Sequence, residues 1–287
     1  MTVAIDVLRK ATGFLRDRGV ANPRLDAELL LADVLGVDRV GVYLSFERPL
    51  TEEELTLYRE RIRRRGRREP LQHIRGRQEF FSREFRVDRT VLVPRPETET
   101  LVETALERIR GRPAARVLDV GTGCGAIAIT LALEAPGSKV CAVDVSAEAV
   151  EVARDNAGRL GAGVDLRAGD LFEPFHGERF DLVVSNPPYV RTEAIAALEP
   201  EVRDFDPRAA LDGGEDGLDF QRRLATNAGS ALVEGGALVV EVGAGQARAV
   251  ADLFASAGLV SIWTRSDLAG IERVVGGVRA ASAGAGY

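Results

Sequence analysis

The apolar and polar residues of the chain follow two different patterns. Over the first seventy residues the apolar positions recur at helical spacing, and no strand alternation is visible. This pattern predicts a helix to about Arg18, a second over 25–35 opened by Asn22-Pro23, and a short third after Asp38. Thr51 and the acids behind it form a capping box, which predicts a fourth helix to about Arg65. We therefore expect a small helical domain over residues 1–75.

Aromatic and β-branched residues replace the helical spacing between residues 76 and 94. The run from Glu79 to Val87, followed by residues 91–93, predicts a β-hairpin that links two domains.

Strand and helix patterns alternate after Pro94. Alternation of this kind predicts an α/β fold with a seven-stranded, mostly parallel sheet covered on both faces. The last two strands lie too close for a helix between them, so an antiparallel hairpin is expected at one edge. This second domain is predicted over 95–280, with a flexible tail at 281–287. Strands are predicted at 116–120, 139–143, 164–168, 180–185, 236–242, 259–263 and 272–278, and helices at 97–110, 125–134, 146–160, 217–233 and 245–257.

Composition narrows the function classes. The chain has 287 residues, of which 45% are hydrophobic and 29% charged, as in ordinary soluble proteins. A net charge of −6 argues against a protein that coats nucleic acid, and direct DNA binding is not expected. No apolar run is long enough to span a membrane, and the N-terminus lacks a secretory pattern, so a cytoplasmic location is expected. Two cysteines (Cys124, Cys141) and two separated histidines (His73, His176) predict neither a disulfide framework nor a metal site.

A glycine-rich turn follows the first strand of the predicted sheet. Gly121, Gly123 and Gly125, with Thr122 and Cys124 between them, lie behind Asp119. Glycines in this position let the backbone approach a ligand closely. The bland alternative, that they only turn the chain, has about even odds for this feature taken alone.

A carboxylate ends the second strand. Asp144 is placed to hold both hydroxyls of a ribose, although it could instead cap the next helix. Gly169-Asp170-Leu171-Phe172, after the third strand, could border an adenine. Together with the glycine turn, Asp144 favours a nucleoside cofactor. A nicotinamide cofactor is the competitor, but the short glycine spacing suits S-adenosylmethionine better.

Asn186-Pro187-Pro188-Tyr189 comes directly after the buried strand run 180–185. Proline fixes the backbone, so the carbonyls of Asn186 and Pro187 are held rigid. Such a corner can accept two hydrogen bonds from one planar NH2 group and stack a ring on it. The alternative is a rigid turn with no chemistry.

In these segments the chain resembles the PrmC (HemK) methyltransferases over nearly its whole length. The most discriminating segment is Pro94-Arg95-Pro96-Glu97, where a sibling family that methylates a ribosomal protein reads Pro-Arg-Ser-Pro. The matching segments are 73–80, 92–99, 119–128, 186–189, 203–211 and 213–217.

The resemblance implies a class I S-adenosylmethionine-dependent methyltransferase with a Rossmann-like sheet. Its substrate would be the glutamine of the Gly-Gly-Gln motif in class-1 peptide release factors, methylated on the side-chain nitrogen. The helical domain would dock the factor. By the same resemblance, residues 121–125 would wrap the methionine part, Asp144 would hold the ribose and Leu171 would flank the adenine. Asn186 would bridge donor and acceptor, with Pro187, Pro188 and Tyr189 completing the substrate site.

Two residues depart mildly from the family pattern. Cys124 stands where threonine is common, and Leu171 where a larger aromatic residue is often found. A weaker stack on the adenine is the expected consequence of the second.

For several other residues, a purely structural role is weighed against a functional one. The arginine-rich run 59–68 is interpreted as a solvated helix end that complements the helix dipole, with docking of an acidic factor surface as the alternative. His73 is expected to be structural, and Trp263 to pack in the core. Arg95 and Glu97 could be local hinge partners, although their place suggests that they support the substrate channel.

Two other functions compete with protein methylation. The tetrapeptide 186–189 also occurs in DNA adenine N6-methyltransferases, which must flip a base out of the duplex. The acidic balance and the lack of an evident target-recognition domain argue against that function. An idle adaptor that binds translation factors is the other alternative, and the intact donor and acceptor motifs argue against it.

Overall fold

The computed structural model describes residues 2–281. Within it the chain divides into two compact units. Unit 1 comprises Met1–Arg77 and Leu198–Phe205, and unit 2 comprises Gln78–Ala197 and Asp206–Tyr287. The predicted tail at 281–287 lies outside the described residues except for Ala281.

The helices and strands are given in chain order. The helices are α1 (Ala4–Asp17), α2 (Pro23–Leu35), α3 (Arg39–Leu44), α4 (Glu52–Gly66), α5 (Leu71–Arg75), α6 (Glu99–Ile109), α7 (Ala126–Glu134), α8 (Ala147–Leu160), α9 (Pro200–Arg203), α10 (Asp219–Ala231) and α11 (Ala247–Ser256). The strands are β1 (Arg77–Phe80), β2 (Arg83–Arg86), β3 (Arg116–Val120), β4 (Lys139–Asp144), β5 (Val164–Ala168), β6 (Phe180–Ser185), β7 (Leu232–Glu241), β8 (Leu259–Ser266) and β9 (Glu272–Arg279).

Two helices of unit 1, α3 and α4, begin where polar side chains satisfy backbone N–H groups, whereas Asn22 makes no side-chain cap bond at the start of α2. Asp38 accepts from the Gly41 amide at 2.7 Å, which caps α3. The capping box of α4 is confirmed, because Thr51 and Glu54 each accept from the other's backbone N–H. Helix α5 was not predicted, since its five residues are too few to show a helical period.

Apolar side chains of α1, α2 and α4 form the core of unit 1. Leu15, Leu30 and Tyr58 are almost fully buried. The Tyr58 hydroxyl donates to the carbonyl of Ala27 at 3.0 Å, so its polar end is satisfied inside the core. His73 is buried, as a structural residue should be.

Several arginines of the run 59–68 are engaged inside unit 1. Arg65 is only 5% exposed, and it donates to Asp26 at 2.6 Å and to Glu201 at 2.8 Å. Arg68 donates to the same Glu201 through two nitrogens. The interpretation of the run as a solvated helix end is therefore wrong for Arg65, whose charge is buried and paired.

The sheet of unit 2 has seven strands in the order β5-β4-β3-β6-β7-β9-β8. Strands β3 to β7 run parallel, whereas β9 is antiparallel to both β7 and β8. Helices α6, α7 and α8 pack on one face, and α10 and α11 pack on the other. The predicted α/β class and the antiparallel pair at the edge are both confirmed.

Strand β7 begins earlier than predicted. Leu232 already pairs with Phe180, although the strand was expected to begin at residue 236. Gly235 adopts a φ of 72°, and pairing resumes at Ala237 with Leu182. This irregularity interrupts the alternation by which a strand is recognised, so the sequence indicated more helix and less strand than the chain has.

The hairpin predicted between residues 76 and 94 is present as β1 and β2. Its turn is made by Phe81 and Ser82, both with positive φ. Residues 91–93 form no strand; Val91 and Val93 are instead buried side chains of unit 2. Trp263 is partly buried and packs against the core, as expected.

None of the helices within residues 2–281 is both long enough and apolar enough to cross a membrane.

Candidate active site

Functional positions follow three neighbouring strands of the unit 2 sheet. Gly121 comes after β3, Asp144 ends β4, and Asn186 follows β6. Because β3 pairs in parallel with both β4 and β6, the carboxyl ends of the three strands meet at one edge. The chain order reverses at β3, and doubly wound sheets bind ligands at such a reversal.

A cavity of about 470 Å³ lies at this edge of the sheet. Seven of the predicted site residues line it: Gly121, Gly123, Asp144, Leu171, Asn186, Pro187 and Pro188. Four other predicted residues do not line it: Thr122, Cys124, Gly125 and Tyr189. The walls also include Asp170, from the segment expected to border an adenine, and Pro207 and Ala210, from the family-like segment 203–211. Other lining residues were not singled out from the sequence, among them Thr90, Ser146, Phe220 and Arg223.

The first two glycines of the turn leave open space above the backbone. Gly121 has a φ of 75° and Gly123 a φ of 55°. A Cβ atom added to either would meet nothing within 4 Å. The Gly121 amide donates to the carbonyl of Val143 at 2.8 Å, which ties the turn to β4. The two glycines therefore form a cradle that a ligand can approach closely.

The rest of the glycine turn is structural. Gly125 precedes α7, and a Cβ atom there would lie 2.8 Å from Cδ1 of Ile129. Cys124 is buried, and burial raises the pKa of its thiol to about 12. The Thr122 hydroxyl donates to the carboxyl of Asp119 at 2.7 Å. These contacts hold the turn from beneath.

Asp119 is fully buried under the turn. Its Oδ2 accepts from Thr122 and from the Ala128 amide at 3.2 Å, and burial raises its pKa to about 7. Asp119 does not line the cavity. Its hydrogen bonds with Thr122 and Ala128 instead anchor the turn to the start of α7.

Asp144 lines the cavity and does not cap the following helix. The cap of α8 is Ser146, whose hydroxyl accepts from the Ala149 amide at 3.1 Å. The two oxygens of Asp144 accept from the amides of Gly123 at 2.9 Å and Ser146 at 3.0 Å. Burial raises the pKa of this carboxyl. Each oxygen keeps further lone-pair capacity for hydroxyl groups.

Apolar and charged side chains together form another part of the cavity wall. Leu171 lines it with a φ of 48°, and Phe220 and Arg223 of α10 line it too. Arg223 forms an ion pair with Asp170. Carboxylate oxygens beside the side chains of Leu171 and Phe220 fit the nucleoside part of S-adenosylmethionine, and the open glycine cradle fits its methionine part.

The corner at residues 186–189 is held by bonds to three neighbouring segments. The Ser185 hydroxyl donates to the Val120 carbonyl at 2.7 Å. Gln246 donates from Nε2 to the Tyr189 carbonyl at 2.9 Å. Asn186 donates from Nδ2 to the Thr98 hydroxyl at 3.2 Å, which leaves its Oδ1 as the amide acceptor for a ligand.

Tyr189 lies behind the corner. Its hydroxyl is 3.4 Å from Oε1 of Glu241, the last residue of β7. Glu241 is 2% exposed, and burial raises its pKa to about 7. Thr98 and Glu241 were not predicted as site residues. The sequence did contain a signal for Glu241, because it is an acidic residue at the end of a buried strand that lies beside β6, the strand before the corner.

Arg95 supports one wall of the cavity. It donates from Nη2 to Oδ2 of Asp206 at 2.8 Å, and the next residue, Pro207, lines the cavity. Asp206 is buried, which raises its pKa to about 6 although the guanidinium acts in the opposite direction.

No group of three or more His, Cys, Asp or Glu side chains within residues 2–281 is placed to hold a metal ion.

Two family models match the chain. The PrmC N-terminal domain matches residues 6–76, and the Methyltransferase small domain matches residues 96–199. Relatives named release factor glutamine methyltransferase match almost end to end. One from Geobacter sulfurreducens is 50% identical, covering 94% of this chain and 95% of its own. One from Caulobacter vibrioides is 42% identical and covers 92% of each chain.

Solved structures share the fold of the larger part of the chain. A methyltransferase from Pyrococcus furiosus matches with a TM-score of 0.55 and 19% identity, covering 70% of this chain and 91% of that one. A T. thermophilus 16S rRNA methyltransferase, solved in complex with AdoMet and guanosine, matches with a TM-score of 0.52 and 18% identity. That match covers 71% of this chain and 49% of the other. At these identities the likeness shows the fold, that of class I methyltransferases.

Proposed function

The chain belongs to the release factor glutamine methyltransferases, S-adenosylmethionine-dependent enzymes, and from that premise we propose its substrate. It transfers a methyl group to the side-chain nitrogen (N5) of the glutamine in the Gly-Gly-Gln motif of class-1 peptide release factors, and so supports translation termination in the cytoplasm. The single observation that supports this most is the placement of the rigid Asn186 corner in the same cavity as the Gly121–Gly123 cradle and Asp144.

The donor half of the cavity is assigned to S-adenosylmethionine. We propose that the turn at residues 121–125 wraps the methionine part, that Asp144 accepts hydrogen bonds from the ribose hydroxyls, and that Leu171 flanks the adenine. Of the turn, Gly121 and Gly123 would contact the ligand, and the other residues would hold the loop in shape. The bound donor supplies a methyl group on a positively charged sulfur, which is already an activated leaving group.

In the acceptor half of the cavity, the nitrogen that receives the methyl group is a weak nucleophile. An amide nitrogen is unreactive because its lone pair is delocalised into the carbonyl. We propose that Oδ1 of Asn186 and the backbone carbonyl of Pro187 accept the two N–H groups of the glutamine, which fixes the direction of the nitrogen and stabilises the charge that develops on it. Pro188 keeps the corner rigid. Tyr189 does not line the cavity and would support the corner from behind, with its hydroxyl 3.4 Å from Glu241.

The helical unit is proposed to dock the release factor. The comparison with the PrmC N-terminal domain covers this part of the chain and supports the proposal. The arginine run contributes less to docking than its sequence suggests, because Arg65 and Arg68 are held by Glu201 within unit 1.

One experiment tests the substrate. The protein is incubated with methyl-labelled donor and either a class-1 release factor, the same factor with its motif glutamine changed to alanine, duplex DNA, or no acceptor. Label on the unmodified factor alone is the expected result. Label on DNA would support the adenine N6-methyltransferase alternative, and no label in any arm would support an idle adaptor.

A variant tests the role of Asn186. Asn186→Ala removes the acceptor oxygen, so turnover should fall about 100-fold or more, in the range seen when one oriented transition-state partner is removed. Affinity for S-adenosylmethionine, measured by calorimetry, should change only a few-fold. Unchanged turnover would rule out the proposed role.

A further inference from the structure

A second cavity, of about 410 Å³, adjoins the active-site cavity in unit 2. The two cavities share three wall residues, Asp170, Leu171 and Arg223. Asp170 and Leu171 follow β5, whereas Arg223 belongs to α10, so the shared wall joins the end of a strand to a helix. Phe172 and His176 are among the residues that line the second cavity alone. The proposed reaction assigns no role to this second cavity.

The side chains of the shared wall contact one another. Arg223 donates from Nη2 to Oδ2 of Asp170 at 2.5 Å. Its guanidinium carbon also lies 5.9 Å from the centroid of the Phe220 ring, and Phe220 lines the active-site cavity. A carboxylate and an aromatic ring therefore hold the guanidinium of Arg223 at the boundary between the two cavities.

This ion pair is half exposed, with 47% of the Arg223 side chain and 42% of the Asp170 side chain accessible to solvent. A pair this exposed contributes little to the stability of the fold. Replacing Arg223 should therefore leave the enzyme folded. The consequence of the pair comes from its place between the cavities and not from the free energy of unfolding.

The proposed placement of the donor directs its base toward the shared wall. With Asp144 on the ribose and Leu171 beside the adenine, the base lies next to Asp170 and Arg223. The exocyclic amino group carries the only N–H groups of the adenine when the ribose is attached. The carboxylate of Asp170 has acceptor capacity beyond its bond to Arg223. The amino group is therefore expected to point at this wall, behind which the second cavity lies.

We propose that Arg223 is a specificity-determining residue for the methyl donor. Paired with Asp170, it closes the active-site cavity at the exocyclic amino group of the adenine and excludes donors that carry a substituent on that nitrogen. The inference rests on the proposed placement of the adenine beside Leu171. Removing the Arg223 side chain should open the active-site cavity into the second one, where such a substituent would lie next to Phe172.

A substituted donor tests the wall directly. The probe is N6-benzyl-S-adenosylmethionine, compared with S-adenosylmethionine as donor and with the full release factor as acceptor. The wild-type enzyme should prefer the natural donor by about 100-fold in kcat/KM, in the range by which a closed pocket discriminates against a group of the wrong size. Arg223→Ala should reduce this preference to about tenfold or less, because the benzyl group can enter the second cavity. Equal use of the two donors by the wild-type enzyme, or an unchanged preference in Arg223→Ala, would overturn the proposal.

The neighbouring Arg222 provides a matched control on the same helix. It forms ion pairs with Asp216 and Asp219, and its side chain is 43% exposed, but it lines neither cavity. Arg222→Ala should keep both the wild-type preference and the wild-type rate with the natural donor. Arg223→Lys, which retains a long cationic side chain for Asp170, should keep most of the preference. If Arg222→Ala accepts the benzyl donor as well as Arg223→Ala does, the effect does not come from the shared wall and the proposal fails.

Calorimetry separates this proposal from the proposed function. The dissociation constants of both donors are measured for each variant in the absence of any acceptor. If no variant methylates the factor but Arg223→Ala still gains affinity for the benzyl donor, the proposed substrate fails and the role of Arg223 stands. If the factor is methylated with the natural donor, but Arg223→Ala gains neither affinity nor rate with the benzyl donor, the role of Arg223 fails and the proposed function stands.

Discussion

At the scale of single residues, neighbouring glycines of one turn have different functions. Gly123 has open space above it and lines the cavity, whereas Gly125 faces Ile129 and Ala153 across α7 and α8. A motif of three glycines does not by itself reveal which ones face a ligand. The direction in which a Cβ atom would point from each glycine does reveal which of them face a ligand.

This difference predicts two distinct effects of alanine. Both positions have positive φ, so alanine costs about 1 kcal/mol at either one. At Gly125 the new methyl would also lie 2.8 Å from Ile129 and 3.1 Å from Ala153, which adds an overpacking cost of about 1–3 kcal/mol. Gly125→Ala should therefore lower the melting temperature more than Gly123→Ala.

Affinity for S-adenosylmethionine should rank the two variants in the opposite order, with the larger loss in Gly123→Ala. In Gly123→Ala the methyl enters the cavity, so affinity for S-adenosylmethionine should fall about tenfold, the loss expected for one close steric contact. Gly125→Ala should bind the donor with nearly native affinity at a temperature where it is folded. If both variants lose affinity equally, the division of the turn into a cradle and a packing part is wrong.

The residue types in the sequence predicted which side chains line the cavity better than they predicted which residues hold those side chains in place. Asn186, Asp144 and the glycines could be selected as cavity-lining candidates because they follow neighbouring strands in order, although each taken alone has a structural alternative. Thr98 could not, since a threonine before a helix is common, and its hydroxyl matters only because β6 brings Asn186 to it. Such pairings depend on tertiary contacts 88 residues apart along the chain.

At the scale of elements, strand and helix identities in unit 2 follow from periodicity, but short elements do not. Helices α5 and α9 have five and four residues, too few for a period. The grouping of Leu198–Phe205 with the N-terminal helices also had no signal in the sequence. It depends on the charges of Glu201 meeting Arg65 and Arg68, which are over 130 positions away.

The ion cluster around Arg65 of α4 gives a testable prediction of stability. Arg65→Ala leaves Asp26 without its buried partner, whereas Glu201 keeps Arg68, and breaking a buried pair typically costs about 3–5 kcal/mol. Arg63→Ala, on an exposed position of the same helix, should cost less than about 0.5 kcal/mol. Urea unfolding followed by circular dichroism compares the two. Equal midpoints would show that the arginine run is not structural.

At the scale of the whole molecule, the fold class and a shared donor and acceptor site could be inferred because two separate motifs have to meet, whereas the glutamine substrate was implied only by the family resemblance. A topological rule places the ends of β3, β4 and β6 side by side, so the donor turn and the acceptor corner had to share an edge. The cavity walls from residues 207–224 could not be inferred in the same way. They come from irregular segments and from one helix, whose direction no pattern specifies.

The size of the cavity predicts how the enzyme selects its substrate. About 470 Å³ has to accommodate the donor and the reacting side chain, so the site can contact little more than the glutamine itself. A free Gly-Gly-Gln peptide loses chain entropy when it is ordered and gains few contacts in return. Under the proposed function, the intact release factor presents the motif on a folded body that also docks on the helical unit. We expect kcat/KM to be at least about 100-fold higher for the factor than for the peptide, mostly through KM. Steady-state rates with each substrate measure this ratio, and the Asn186→Ala variant should lower kcat for both. Equal kcat/KM for factor and peptide would mean that the cavity alone recognises the substrate and that the helical unit does not dock the factor.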